Sequence, residues 1–186
     1  MSGRTFTVRE IPSERTTIRL DIEHPNPSTR VDALRRIKSP FERHELLLER
    51  PSQRDVCIAL ARKLATHGVN GLLGIAEQLK ENKFELIGMI VDIDPKHGIV
   101  YETTRSPAYV AVCDILAENI HSLKAHKPEI GLPALVHIAV GSTDELARTT
   151  AVNYLKDLNA HSHLTAVATH SEYADTQRYA REKLGI

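Results

Sequence analysis

Thr143-Asp144-Glu145-Leu146-Ala147-Arg148-Thr149-Thr150-Ala151-Val152-Asn153-Tyr154-Leu155 is the stretch whose reading decides the fold. A hydroxyl residue followed by two acids opens a helix, because side-chain oxygens cap the first N–H groups and acids suit the positive end of the helix dipole. Within it, Arg148, Ala151 and Leu155 stand at i, i+3 and i+7, on one helical face. The same order of polar, small and large residues recurs in Arg30, Ala33 and Ile37, and again in Gln177, Ala180 and Leu184. Each stretch thus offers a long polar edge, a residue small enough for close approach and a core anchor, the pattern expected of stacked helical hairpins.

Working outward, helices are expected from the Ser28 or Thr29 cap to Ile37, from about Phe41 to Glu49, from Pro51-Ser52 through Leu64, and from Val69 to Lys80. Ser106-Pro107 restarts the pattern with Tyr109, Val112 and Leu116, Tyr109 taking the polar slot. Pro128 and Pro133 fall at the start of a helix that ends near Gly141. After the quoted stretch, Asn159 turns the chain into 163–169, and a last helix runs through Leu184. Leu86-Ile87-Gly88-Met89-Ile90-Val91-Asp92-Ile93 suits either a buried helix or a hairpin with Ile99 to Thr103, since β-branched residues favour strands. Residues 94–107 read as an irregular loop.

The first 27 residues read differently. Thr5 to Ile11 and Thr16 to Ile22 alternate polar and apolar residues, the period of strands, with Pro12-Ser13-Glu14-Arg15 as the turn. An extended or β-hairpin arm over 1–27 is therefore expected ahead of a helical domain over 28–186.

Twenty-four lysines and arginines balance 24 aspartates and glutamates, interspersed along the chain. This excludes a strong field for gathering polyanions. No apolar run reaches the length of a membrane span, and Met1 to Thr5 lacks the apolar core of a signal peptide. A cytoplasmic protein with no membrane partner is expected. Cys57 and Cys113 lie in apolar helical runs and read as inert, buried thiols.

In Asn26 to Ile37, and in Thr143 to Leu155, an acidic or Asn-Pro turn leads into a helix bearing arginine, alanine and a large aliphatic residue. In this the chain resembles the HEAT-repeat family, particularly its short bacterial and archaeal arrays. The resemblance covers about 28–186 and is carried by the first unit and the last two, with Arg148 and Gln177 29 residues apart. It departs in the middle, where 52 residues separate Leu64 from Leu116, and a generic helical bundle is the alternative.

The resemblance implies a mainly α fold, a short right-handed α-solenoid of antiparallel hairpins with the arm outside it. It also implies that second helices line a concave face that recognises another protein. Arg30, Arg54, Arg148, Asn153, Arg178 and Arg181 are the contact candidates, and an arginine-bearing face suits an acidic or extended partner. The expected function is protein binding or scaffolding without catalysis.

Other functions fit less well. HEAT-like iron enzymes similar to deoxyhypusine hydroxylase use several His-Glu pairs, whereas only His44-Glu45 occurs here. No cofactor or metal is expected, and His161, His163 and His170 form the alternative metal set. Arg30, Arg35, Arg36, Lys38 and Arg43 make a local basic excess, but Asp32, Glu42 and Glu45 interleave with it, which disfavours nucleic acid. Gly71-Leu72-Leu73-Gly74 lacks the lysine of a phosphate loop and reads as a helix-packing element. Asp92-Ile93-Asp94 reads as a turn start rather than a cation site.

Overall fold

A computed structural model describes residues 13–49, 51–79 and 106–186, and among them every regular element is a helix. The helices are α1 (Glu14–Ile22), α2 (Pro27–Arg36), α3 (Pro40–Leu48), α4 (Arg54–Ala65), α5 (69–79), α6 (Pro107–Ala117), α7 (Ile120–Leu123), α8 (Pro128–Gly141), α9 (Glu145–Asp157), α10 (His161–His170) and α11 (Ala174–Leu184). None of them is long and apolar enough to cross a membrane. Residues 80–105, with the open choice at 86–103, Asp92-Ile93-Asp94 and most of the expected 94–107 loop, lie outside the described residues, as does the expected first strand.

Local chemistry sets the helix starts. Asp144 Oδ1 accepts from the N–H groups of Leu146 (2.9 Å) and Ala147 (3.2 Å), and Asn26 Oδ1 from that of Ser28 (2.9 Å). Proline opens α2, α3, α6 and α8, where its fixed φ fits the helix and its missing N–H costs nothing. Pro133, expected at a helix start, instead lies inside α8. Asn159, at φ 53°, makes the left-handed turn from α9 into α10.

The second half of the expected β-arm is a correction. Residues Thr16 to Ile22 belong to α1, capped by the Ser13 hydroxyl accepting from the Thr16 N–H. A strand would put Ile18, Leu20 and Ile22 on one side; the helix instead buries Ile18 and Ile22, four residues apart, and leaves Leu20 65% exposed. Capping and the i, i+4 isoleucine pair outweigh the alternation.

The even-numbered helices pack in succession, α2 on α4, α4 on α6, α6 on α8 and α8 on α10. They run parallel. Tyr109 pairs with His137 and Asp114 with Ser142 across α6 and the end of α8, both at a separation of 28 residues, and the Ser171 hydroxyl donates to the Ala139 carbonyl. A second row carries α7, α9 and α11, with Lys124 on Asp157 and Arg148 on Thr176. At the other end of the chain Arg15 and Arg19 of α1 pair with Glu45 and Glu49 beside and within α3. Antiparallel neighbours close the space between rows, α3 on α4, α8 on α9 and α10 on α11.

The shared core is where the repeated triplets end. Ala33, Ala151 and Ala180 have no solvent-accessible surface, and neither does Leu155; Ile37 is also buried, while Leu184, the anchor of the third triplet, is half-buried against the core. Each fully buried aliphatic side chain contributes about 1.5–3 kcal/mol.

Candidate functional site

The polar member of the triplet has a definite job. Arg30, Arg148 and Gln177 are each the fourth residue of their helix, and each side chain turns back to the carbonyl six residues earlier. Arg30 Nη1 donates to His24 O (2.8 Å) and Pro25 O (2.9 Å); Arg148 Nη1 donates to Ser142 O (3.1 Å) and Thr143 O (3.2 Å); Gln177 Nε2 donates to Ser171 O. Arg43 in α3 and the Cys57 thiol in α4 occupy the same position and make the same return bond, to Ile37 O and Pro51 O. These bonds satisfy turn carbonyls for which no helical N–H is in place.

The remaining donors of the two arginines tie one helix to the next in its row. Arg30 Nε and Nη2 bind Asp55 Oδ2 at 3.0 and 2.8 Å. Arg148 Nε binds Thr176 Oγ1 at 2.9 Å, Nη2 binds Asp175 Oδ2 at 3.1 Å, and its Cζ stacks 3.6 Å from the Tyr173 ring centroid. Burial pushes the Asp175 carboxyl up, but bonds from the Thr176 N–H and from Arg148 outweigh this and hold it below the ordinary carboxylate value.

This placement corrects the expected contact set. Arg30 and Arg148 are buried, with their guanidiniums engaged inside the chain. The six candidates also do not share a face: Arg30 and Arg54 lie on α2 and α4 of the even row, Arg148, Asn153, Arg178 and Arg181 on α9 and α11 of the other. The physical reason is that the triplet marks how a helix starts and enters the core, a need common to both rows. Arg54 reaches Asp114 (3.2 Å), Arg181 reaches the Ala168 carbonyl (3.4 Å), and Arg178 is exposed.

Around Asn153 the structure assembles a continuous polar and aromatic strip. Tyr179 Oη donates to Asn153 Oδ1 (2.8 Å), and His121 Nδ1 lies 2.7 Å from Tyr154 Oη. Lys124 and Lys183 sit over the rings of Tyr154 and Tyr179, at 4.6 and 4.7 Å from the centroids. The strip thus crosses α7, α9 and α11. Sequence reasoning reached Asn153 and Arg178 but missed both tyrosines, although each directly follows one of those residues.

A second feature is an open cleft of about 320 Å³ between α5, α8 and α10. His137, in its wall, is buried and holds a partner at each ring nitrogen, Tyr109 Oη at Nδ1 (3.1 Å) and Glu77 Oε1 at Nε2 (2.8 Å). The carboxylate takes a proton from Nε2, and Tyr109 Oη completes the hydrogen bonding of the ring at Nδ1. The signal was a lone histidine inside the apolar run Leu135-Val136-His137-Ile138-Ala139, where a polar group needs a buried partner.

The expected alternative sites are dispersed. His163 is half-buried and lines the cleft, while His161 and His170 are exposed. Among the described residues no three His, Cys, Asp or Glu side chains converge to hold a metal ion. Arg35 and Arg36 of the basic excess pair with Asp32 and Asp21, and Glu45 of the His-Glu pair with Arg15. Among the described residues nothing lies within 4 Å of a methyl group added at Gly71 or Gly74. Both cysteines are buried and outside any disulfide, and burial, helped by the charges of Glu23 and Asp55, pushes the Cys57 thiol up to about 12.

Compared with protein-family models, curated proteins and solved structures, the chain matches none.

Proposed function

We propose that this chain is a helical-repeat scaffold of the HEAT-like class, a short α-solenoid that binds another protein and has no catalysis of its own. The recurring fourth-residue return bond and the parallel helix rows support the repeat reading. Stacked units of this kind build extended binding faces from the side chains of one row. Two buried cysteines outside any disulfide suit a reducing compartment, the cytoplasm.

The observation that carries the binding reading is the strip of Tyr154, Asn153 and Tyr179. Tyrosine brings large contact area with little rotational freedom to lose, and here hydrogen bonds to His121 and Asn153 hold both rings before any partner arrives. Lys183 and the exposed Arg178 flank the strip with cationic groups, Lys124 being paired with Asp157, which favours an acidic segment at the α11 side.

Affinity capture from the native host tests this, using the wild type, Tyr179→Ala, Arg178→Glu and, on the opposite row, Arg54→Glu. A specific partner should be lost with the first two variants and kept with the third. An identical captured set in all four would refute the assignment of the face.

A further inference from the structure

We infer that the α11 side of the strip reads a single carboxylate, the side chain of a glutamate or aspartate of the partner, and that Tyr179 sets this preference by fixing the Asn153 amide. The inference rests on the binding face proposed above and names the group that this face takes.

An amide side chain has an acceptor on one side and two N–H donors on the other, so the side it turns outward decides which ligand groups fit. Here the choice is made inside the chain. Tyr179 Oη donates to Asn153 Oδ1 at 2.8 Å, which turns the amide oxygen toward α11 and leaves Nδ2 as the open end. Among the described residues no acceptor takes an Nδ2 hydrogen, and Asn153 is half-buried, so this donor is set to receive a ligand oxygen. The Tyr179 ring is steadied in turn by Lys183, whose Nζ lies 4.7 Å from its centroid.

Charge narrows the ligand further. Lys124 pairs with Asp157 at 2.9 Å and Arg148 with Asp175 at 3.1 Å, so these four groups add no surplus beside the strip. Lys156, one turn after Asn153, and Arg178, one turn before Glu182, are exposed, and with Lys183 these cations outnumber the exposed Glu182. A carboxamide offers the same kind of oxygen to Nδ2 but gains nothing from that surplus. A phosphate dianion calls for several converging charged donors, whereas the one donor fixed in place here is a neutral amide. A carboxylate meets both conditions, with an oxygen on Nδ2 and one negative charge among peripheral cations.

The test is nuclear magnetic resonance titration of the full chain with three blocked peptides of the sequence Gly-Ser-X-Leu-X-Ser-Gly, where X is glutamate, glutamine or phosphoserine. The glutamate peptide should give saturable shifts of the Asn153 side-chain amide and bind about tenfold more tightly than the glutamine peptide, the margin of a charge-assisted hydrogen bond over a neutral one. Tyr179→Phe keeps the ring beside Lys183 but frees the amide to turn its oxygen outward, so the glutamate preference should shrink. A role of Tyr179 in packing alone would weaken both peptides equally. Asn153→Asp keeps an oxygen for Tyr179 and puts an acceptor where Nδ2 stood, and should abolish glutamate binding with an unchanged circular dichroism spectrum.

No saturable shift with the glutamate peptide, equal affinity for the glutamine peptide or tighter binding of the phosphoserine peptide would overturn the inference. So would an undiminished preference in Tyr179→Phe, or binding retained in Asn153→Asp. A host partner lost with Tyr179→Ala but kept by Asn153→Asp would overturn it and leave the scaffold reading standing. A glutamate preference with no captured partner would do the reverse.

Discussion

Arg148 Nη2 lies 3.1 Å from Asp175 Oδ2, joining the fourth residue of α9 to the second residue of α11. Arg30 of α2 meets Asp55, the second residue of α4, at 2.8 Å in the same way. One guanidinium thus closes its own turn and locks the next helix of the row in register. The two acids are about half exposed and the two arginines buried, so the geometry and the number of bonds matter more than the isolated ion pair.

Arg148→Ala leaves the Ser142 and Thr143 carbonyls and the Thr176 hydroxyl without this donor and removes the stacked group from Tyr173. A loss of about 2–4 kcal/mol is expected, measured by urea unfolding. Arg148→Lys restores less than half of it, because an ammonium cannot span four acceptors and lie flat on a ring. Full recovery with lysine would contradict the fork geometry.

Asp175 adds a pH dependence of definite sign. Its folded pKa lies below the ordinary value of 3.8, so its contribution is fully present above that value. It is lost as pH falls from there through the lower folded pKa, where the native carboxylate takes up a proton. Asp175→Asn should therefore be less stable than wild type at neutral pH, and the gap should close over that acidic window in parallel denaturation series. A gap that widened on acidification would reverse the sign of the linkage.

Gly141, the last residue of α8, lies against the Cys113 and Tyr109 side chains of α6. A β-carbon there would come 2.4 Å from Cys113 Sγ and 2.7 Å from Tyr109 Cε1. Gly141→Ala is expected to lower stability by about 1–3 kcal/mol, as overpacking does. Because Tyr109 also holds His137, the variant should shift the His137 ring resonances.

Cys57 should be chemically silent in the folded chain. With a pKa of about 12 and a fully buried sulfur, the native thiol should not react with a disulfide reagent at neutral pH, and should do so readily in denaturant. Rapid labelling under native conditions would mean that α4 opens locally.

By itself the sequence determined that most of the chain after residue 27 is helical, roughly where its helices begin, and which small and large residues of the triplets enter the core; it placed the α2 cap at Ser28 or Thr29, whereas Asn26 caps it. Ser, Asn and Asp caps, proline at first helical positions and an alanine three residues after a long polar side chain are local signals, read within one or two turns. Even so, α1 was misread, because its period-two alternation and its i, i+4 isoleucines coexist in seven residues and only the capped, packed helix resolves them. What the tertiary structure alone decided is which row each helix joins. It buried Arg30 and Arg148, divided the expected face between two rows, aligned Tyr154 with His121 and Tyr179 with Asn153, and brought Glu77 to His137 across 60 residues. The reason is that both rows face one core and so need the same small and large residues at the same spacing. Row membership is written in contacts between helices, and a pattern with the period of a single helix carries no record of them.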